Sequence, residues 1–256
     1  MAITIKSEDD IKKLRKGGQI LARILDELEK EVVPGNTSLD VDDRAMELIA
    51  EYGVEPLLLG YQPGLAPRPY PAATCVSLND VVVHGIPNEH PETFQDGDVV
   101  SVDLAIGYEG MVLDSARTVG CGTLEPEAAA LIAVTKKAHD AAIAAAKPGN
   151  RVRDIGQAVV DVVPEGYGIV DALCGHGVGY DVHEEPMVPN VPMKGESPLL
   201  EPGMVLAIEP MIIAGKPDVI FDERDGYTVL TADGNLAAHM EHTVLIGKKG
   251  PEILTR

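Results

Sequence analysis

Four acidic residues occupy places where an apolar strand accommodates them poorly. Asp103 lies in Val-Val-Ser-Val-Asp-Leu-Ala-Ile and Asp114 in Met-Val-Leu-Asp-Ser. Glu209 ends Met-Val-Leu-Ala-Ile-Glu-Pro, and Glu241 lies within His-Met-Glu-His-Thr-Val-Leu-Ile. The first two flank Gly107-Tyr108-Glu109-Gly110, a hairpin turn. If its centre falls between Tyr108 and Glu109, Asp103 faces Asp114 directly, with Cβ atoms about 4.5–5.5 Å apart. Facing carboxylates in apolar company repel, and desolvation adds to the cost. Either one holds a proton or a cation lies between them. A frayed, solvated sheet edge would explain one such pair. It does not explain four strands each carrying an inward acid. Clustered carboxylates of this kind suit a pair of divalent ions, because bridging carboxylates offset the ions' repulsion.

Histidine extends the donor set. His176 sits in Cys-Gly-His-Gly-Val-Gly, where flanking glycines would let the ring approach a ligand closely. His183 opens His-Glu-Glu-Pro, and His84 lies in Val-His-Gly-Ile-Pro after a strand. No second histidine follows His183 at the spacing of a zincin helix. His90, His139, His239 and His242 read as structural.

The elements that must position these groups follow from periodicity. Ser7 and Asp10 form a capping box ahead of Ile11, Leu14, Leu21, Ile24, Leu25 and Leu28, a helix stopped by Pro34-Gly35. A second helix runs from a Thr37/Asp40 cap to Gly53. The segment from Leu57 to Pro71 holds Pro63, Pro67, Pro69 and Pro71, too many for a central strand. It reads as a lid over a pocket or as a surface excursion. Strands at Thr74–Leu78 and Val81–Ile86 flank Asn79-Asp80, and strands at Asp98–Ile106 and Met111–Val119 flank the hairpin turn. Helices follow at Pro126–Lys147 and Val152–Val163, separated by Pro148-Gly149. Further strands read at Val170–Gly175, Met204–Glu209, Ile212–Ile213, Tyr227–Thr231 and His239–Ile246. Two helices then strands, twice over, is the segregated order of an α+β protein. No linker separates the halves, so the expectation is one domain over residues 1–256, built of similar halves at about 1–123 and 124–256.

Composition bounds the function. Of 256 residues 45% are apolar and 24% charged, which excludes disorder. Three cysteines, Cys75, Cys121 and Cys174, are an odd number without a CxxC pair. That excludes a disulfide scaffold and a zinc ribbon and favours a reducing compartment. The chain has 21 basic and 41 acidic residues, a net charge of −20. Such a surface repels phosphate backbones and anionic lipid, so neither nucleic acid nor membrane is the main ligand. Without a signal-peptide run at the N-terminus or a membrane-length apolar stretch, the expected location is cytoplasmic. Lys12, Lys13, Arg15 and Lys16 on the first helix could contact a ribosomal surface transiently; a solvated helix face is the simpler account.

Taken in order, NDVVVHGIP, GDVVSVDLAI, the Asp of MVLDSARTV, LCGHGVGYDVHEEP, LEPGMVLAIEPM, DGYTV and MEHTVLI resemble the type I (bacterial-type) methionine aminopeptidases of the pita-bread metallohydrolase family. The resemblance spans essentially the whole chain. It implies a pseudo-two-fold α+β fold, an antiparallel sheet covered by helices, and a monomer. It also implies five metal ligands for two divalent ions (Co, Mn, Fe(II) or Zn): Asp103 on one, His176 and Glu209 on the other, Asp114 and Glu241 bridging. The implied reaction removes the N-terminal methionine of nascent polypeptides and peptides with a small second residue, by a metal-bridged hydroxide. Glu209 would be the general base, His183 a donor to the peptide carbonyl, and His84 a contact of the scissile amide. The family's methionine pocket maps onto Tyr61, Tyr70, Cys75, Val182 and Tyr227. Tyr227 stands where Trp is usual, Val182 where Phe is usual, and Leu58 where a Cys often lies, and the Tyr61–Tyr70 segment is longer than in short bacterial forms. Prolidase-like members usually carry an additional N-terminal domain. Type II enzymes carry a long insertion where His176 and Glu209 are here 33 residues apart. A prolidase or another dinuclear aminopeptidase is the alternative within hydrolases. A non-catalytic pita-bread subunit is the alternative outside them, although no metal ligand is missing.

Overall fold

Helix 1 starts where Ser7 closes the first turn in both directions: the Asp10 N–H donates to its hydroxyl, and its own N–H donates to the Asp10 carboxylate. A computed structural model of the chain, describing residues 3–64 and 66–256, runs this helix, α1, over Glu8–Leu28, followed by a 3-10 turn at Glu29–Glu31. The same box at Thr37 and Asp40 opens α2, Ser38–Tyr52, which Gly53 ends with a left-handed φ of 64°. Pro126 opens α3, Pro126–Ala145, and α4 spans Val152–Val162. All four helices lie where periodicity puts them. In α1 the apolar residues form one stripe, and Leu14, Leu21, Ile24, Leu25 and Leu28 are fully buried.

The strands are β1 Glu55–Pro56, β2 Cys75–Leu78, β3 Val81–Val83, β4 Val99–Tyr108, β5 Met111–Gly120, β6 Gly168–Ile169, β7 Cys174–Gly177 and β8 Glu184–Pro189. They continue as β9 Val205–Ile208, β10 Met211–Ile213, β11 Val219–Phe221, β12 Val229–Thr231, β13 Ala237–His239, β14 His242–Gly247 and β15 Gly250–Ile253. All pairings between these strands are antiparallel. β4 pairs with β1, β2 and β5, and α1 and α2 cover that sheet. A second sheet runs β15-β14-β9-β7-β8, and α3 and α4 pack against it. The two sheets meet at β5 and the start of β14. There Glu241 and Ala116 exchange main-chain hydrogen bonds of 2.9 and 3.3 Å, and Thr243 Oγ1 accepts from Asp114 N and donates to Asp114 O.

Several strand boundaries differ from those expected, each for a local reason. The hairpin turn is Glu109-Gly110 alone, with φ of 48° and 77°, and Tyr108 pairs with Met111. Asp103 therefore faces Ala116, and Asp114 faces Ala105, rather than each other. The correction is a slip of two positions, so the acids still share one face. β3 ends at Val83 because the chain turns at His84, φ 60°. The expected strand at His239–Ile246 breaks at Met240-Glu241, since Glu241 gives its main chain to Ala116. In place of Val170–Gly175 there are β6 and β7, separated by an exposed turn at Asp171-Ala172. Of the strands unexpected from periodicity, which include β1 and β11, β8 and β15 are sheet edges carrying Pro186, Pro189 and Pro251. Proline disguises an edge strand because the missing N–H is not needed on the open side. On α1, Lys12 is paired with Asp9 and Arg15 with Glu252, both at the surface. Among the described residues no helix is long and apolar enough to cross a membrane.

The glycines around His176 do more for the backbone than for a ligand. A Cβ at Gly175 would lie 2.3 Å from the Ala207 carbonyl oxygen, and one at Gly177 2.3 Å from that of Glu185. β7 is squeezed between β8 and β9, and only glycine permits it. Gly175→Ala is therefore expected to destabilise the fold by about 1–3 kcal/mol through overpacking, measured by denaturant melts. A wild-type midpoint would show that β7 has room to spare.

Candidate active site

The acids converge because the two sheets present them to a common interior. Asp103 projects from β4, Asp114 from β5, His176 from β7, Glu209 from the end of β9, and Glu241 from the break before β14. One ligand atom each from Asp114, His176 and Glu241 fall within 4.8 Å of one another. Glu209 reaches the same centre, with Oε1 3.4 Å from His176 Nε2 and Oε2 3.4 Å from His239 Nε2. Asp103 Oδ1, Asp114 Oδ1 and Glu241 Oε1 are buried with no hydrogen-bond partner. Buried polar atoms left unpaired on this scale are costly, and carboxylate oxygens from three elements aimed at one point fit a cation.

The electrostatics say the same. Burial, and then repulsion from Asp114 and Glu209, holds Asp103 far above the ordinary carboxylate range. Burial pushes Asp114 up to about 7, Glu209 adding to it, and pushes Glu209 itself up to about 8. Glu241 is likewise raised, by burial and then by the other three acids. Four carboxylates cannot all ionise in this volume unless positive charge joins them. The imidazoles are driven the other way: burial lowers His176 and His239 to about 3. His176 Nδ1 lies 3.0 Å from the Gly177 carbonyl oxygen, to which it donates. That fixes the tautomer and leaves Nε2 free as an acceptor or a metal ligand.

A cavity of about 150 Å³ opens above the cluster, and all twelve residues singled out from sequence line it. The wall is tied together by phenols. Tyr70, packed edge-on against Tyr227 at 5.0 Å between ring centroids, donates to the Thr74 and Gly85 carbonyls. Tyr227 Oη donates to the carbonyls of Arg68 (2.5 Å) and Tyr61 (3.2 Å), pinning both ends of the proline-rich segment. With Tyr61 and Pro63 on the cavity, that segment forms part of its wall. Tyr61 Oη lies 2.6 Å from His183 Nδ1. A phenol is the better donor and an imidazole nitrogen the better acceptor, so the His183 proton sits on Nε2. Cys75 is buried directly opposite Asp103 in the β2–β4 ladder, and burial raises its thiol well above the usual value. Burial lowers His84 to about 4, with His239 and His183 adding and a hydrogen bond to the Tyr227 main chain opposing.

His239, read from sequence as structural, belongs to this centre. The signal was its position two residues before Glu241 in the same acid-bearing stretch. Leu173, Cys174 and Met211 also line the cavity and were not singled out. They flank His176 and Glu209 in the chain, the one clue that sequence offers. His139, buried, and His242, half-buried, lie 5.0 Å apart, ring to ring, and line none of the cavity.

A sequence model of metallopeptidase family M24 matches residues 12–248. The chain belongs to metallopeptidase family M24. A methionine aminopeptidase of Aquifex aeolicus is 45% identical to it over 100% of this chain and 99% of the relative. The crystal structure of a methionine aminopeptidase from Thermotoga maritima superposes with a TM-score of 0.91 at 40% identity, covering 100% of both chains. A prolidase from Pyrococcus furiosus shares the fold at 23% identity, with a TM-score of 0.78 over 98% of this chain and 65% of that one. The architecture is thus the pita-bread fold of M24, and membership of M24 makes the protein a divalent-metal peptidase, for which the buried Asp/His/Glu cluster has the right donors.

The same cluster sets a pH dependence. Asp114 and Glu209, ordinarily at 3.8 and 4.5, bind protons more tightly in the folded chain, so their stabilising protonation is lost as pH rises toward about 7 and 8. The buried imidazoles act oppositely, but only below 6.5, where the unfolded chain takes up protons that the folded one refuses. Between pH 6.5 and 8 the chelated protein should therefore lose thermal stability. Mn(II) or Co(II) should raise its Tm more at pH 8 than at pH 6.5. A chelated Tm that stays flat over this window would contradict a shared, desolvated acid cluster.

Proposed function

We propose that this chain is a methionine aminopeptidase, removing the first residue from nascent polypeptides and peptides that begin with methionine and continue with a small residue. The supporting observation is a set of four acids and one imidazole lining one cavity, with ligand atoms of Asp114, His176 and Glu241 within 4.8 Å of one another, in a chain 45% identical along its length to a protein of that name. Asp103, Asp114, His176, Glu209 and Glu241 would hold two divalent ions. Oxygen-rich ligation with one imidazole suits Mn(II), Fe(II) or Co(II) and admits Zn(II). When bound, such ions supply Lewis acidity, making water more acidic and stabilising charge on a carbonyl oxygen.

The chain's own groups do the rest. Glu209 takes a proton from the attacking water as its oxygen bonds to the carbonyl carbon. It delivers that proton to the peptide nitrogen as the C–N bond breaks, so free methionine and a new amino terminus leave. His183 carries its proton on Nε2 by virtue of Tyr61, and donates it as a hydrogen bond to the developing oxyanion. His84, held neutral by burial and anchored on the Tyr227 main chain, faces the scissile amide. Tyr70, Cys75, Val182 and Tyr227 form the pocket for the thioether side chain, together with the ring of Tyr61. The Tyr227 hydroxyl is already engaged by main-chain carbonyls, so its ring is what the substrate meets. A soft, protonated thiol and aromatic faces are favourable company for a methionine sulfur. We assign the protein to the cytoplasm, where nascent chains emerge and three free cysteines stay reduced.

Release of methionine from Met-Ala-Ser, but not of leucine or proline from matched controls, is the expected result, abolished by chelator and restored by metal. Hydrolysis of only the control peptides would favour a different N-terminal specificity. Glu209→Ala should remove nearly all turnover with metal supplied, and His183→Ala should lower kcat about 10²–10³-fold. An effect of His183→Ala on KM alone would make that residue a binding group rather than an oxyanion donor.

A further inference from the structure

The residues just before α1 are bound to the turn that carries His183. The Lys6 ammonium lies 2.7 Å from Glu184 Oε2, and the two side chains are only 1% and 3% exposed. Glu184 follows His183 directly. Its Oε2 also accepts from the Thr4 hydroxyl at 2.5 Å, while Oε1 accepts from the main-chain N–H groups of Tyr180 (2.5 Å) and Asp181 (3.3 Å). The ammonium sits 4.5 Å above the centre of the Tyr180 ring, and the Tyr180 hydroxyl donates to Asp10 at 2.9 Å. The Lys6 main-chain N–H is fixed in turn by the Gly203 carbonyl at 2.8 Å. A Cβ at Gly179, where φ is +132°, would lie 2.3 Å from Lys6 Cε. The turn at 179–184 is folded around the lysine side chain.

None of these groups has a part in the reaction described above. A buried ion pair adds little net stability over an apolar replacement, because desolvation offsets the attraction. What this one does supply is geometry. His183 is exposed at the cavity wall, where one side of its ring meets Tyr61 and His176 and the other is open. Its contacts with Tyr61, and with His176 at 4.2 Å between ring centroids, form only where the main chain leading into it brings the ring within their reach. We infer that the buried Lys6–Glu184 pair, with its bonds to Thr4, Tyr180 and Asp181, is a positioning device that sets the 179–184 turn and so aims His183 at the substrate carbonyl. Lys6 and Glu184 are positioning residues acting through His183.

The inference rests on the aminopeptidase reading for its kinetic arm, whereas its hydrogen-exchange arm does not. In the metal-loaded full chain, Lys6→Met is expected to lower kcat about 10–30-fold with KM changed less than about threefold. In the His183→Ala background the same change should cost no more than about twofold further, because two residues acting through one group are not additive. Exchange of the Tyr180 and Asp181 amides should speed up by about tenfold or more, since their acceptor loses its anchor. If Lys6→Met does not fold, the double variant Lys6→Met/Glu184→Gln leaves no unpaired buried charge and is expected to show the same kinetic pattern. Equal kcat losses in both backgrounds, or unchanged exchange at Tyr180 and Asp181, would overturn the positioning role. Wild-type protein that releases no methionine would instead remove the aminopeptidase reading, and the exchange measurement would still decide whether Lys6 holds the turn.

Discussion

Mutual repulsion of carboxylates in a desolvated volume is the constraint that organises this molecule. Asp103, Asp114, Glu209 and Glu241 are each raised by burial, and three of the four are raised further by one another. An arrangement that opposes its own ionisation persists only if the scaffold is rigid and if positive charge completes it. The scaffold meets the first condition by fusing two sheets at the acids themselves. The Ala116–Glu241 main-chain bonds and the Thr243–Asp114 bonds leave neither Asp114 nor Glu241 free to move apart. The M24 family's metal dependence meets the second.

Around that centre, neutral histidines are oriented by what their second nitrogen touches. His176 spends Nδ1 on the Gly177 carbonyl, His183 receives a phenol on Nδ1, and His84 reaches the Tyr227 main chain. Burial keeps all three below their ordinary pKa, so each presents a defined donor or acceptor rather than a charge. A charged imidazole beside a bound metal ion would only add repulsion. Neutral imidazoles give directional hydrogen bonding without it.

Much of this could be read from the chain because the acids contradict their surroundings. A carboxylate inside Val-Val-Ser-Val-Asp-Leu-Ala-Ile is a local conflict, and such conflicts concentrate at functional sites. Helices α1 to α4 were legible for the opposite reason, since caps and apolar stripes agree. What escaped was set by long-range geometry. The hairpin register turned on Glu109 accepting a positive φ, which a glutamate rarely adopts. His239 looked ordinary until Glu209, thirty residues earlier in the chain, was placed 3.4 Å from it. The glycines beside His176 read in sequence as room for a ligand, whereas it is the neighbouring strands that need their space. The Tyr61–His183 contact joins residues 122 positions apart, and no local pattern announces it.

Chemistry and specificity are carried by different kinds of structure here. The acids sit on or at the ends of paired strands whose backbones are locked together, so a change of side chain there alters charge balance in a buried site. The cavity is walled partly by the proline-rich segment, held by the Tyr227 hydroxyl, and partly by Val182 on the turn before β8. Loops accept substitution and insertion at lower cost than paired strands do. A longer Tyr61–Tyr70 segment can therefore reshape the pocket while the acid cluster is untouched. It also brings Tyr61 onto His183, so one loop contributes both to the shape of the cavity and to the His183 tautomer. The cavity's shape and the His183 tautomer are coupled through that single phenol, whereas the acid cluster, Glu209 included, is held by the paired strands rather than by the loop.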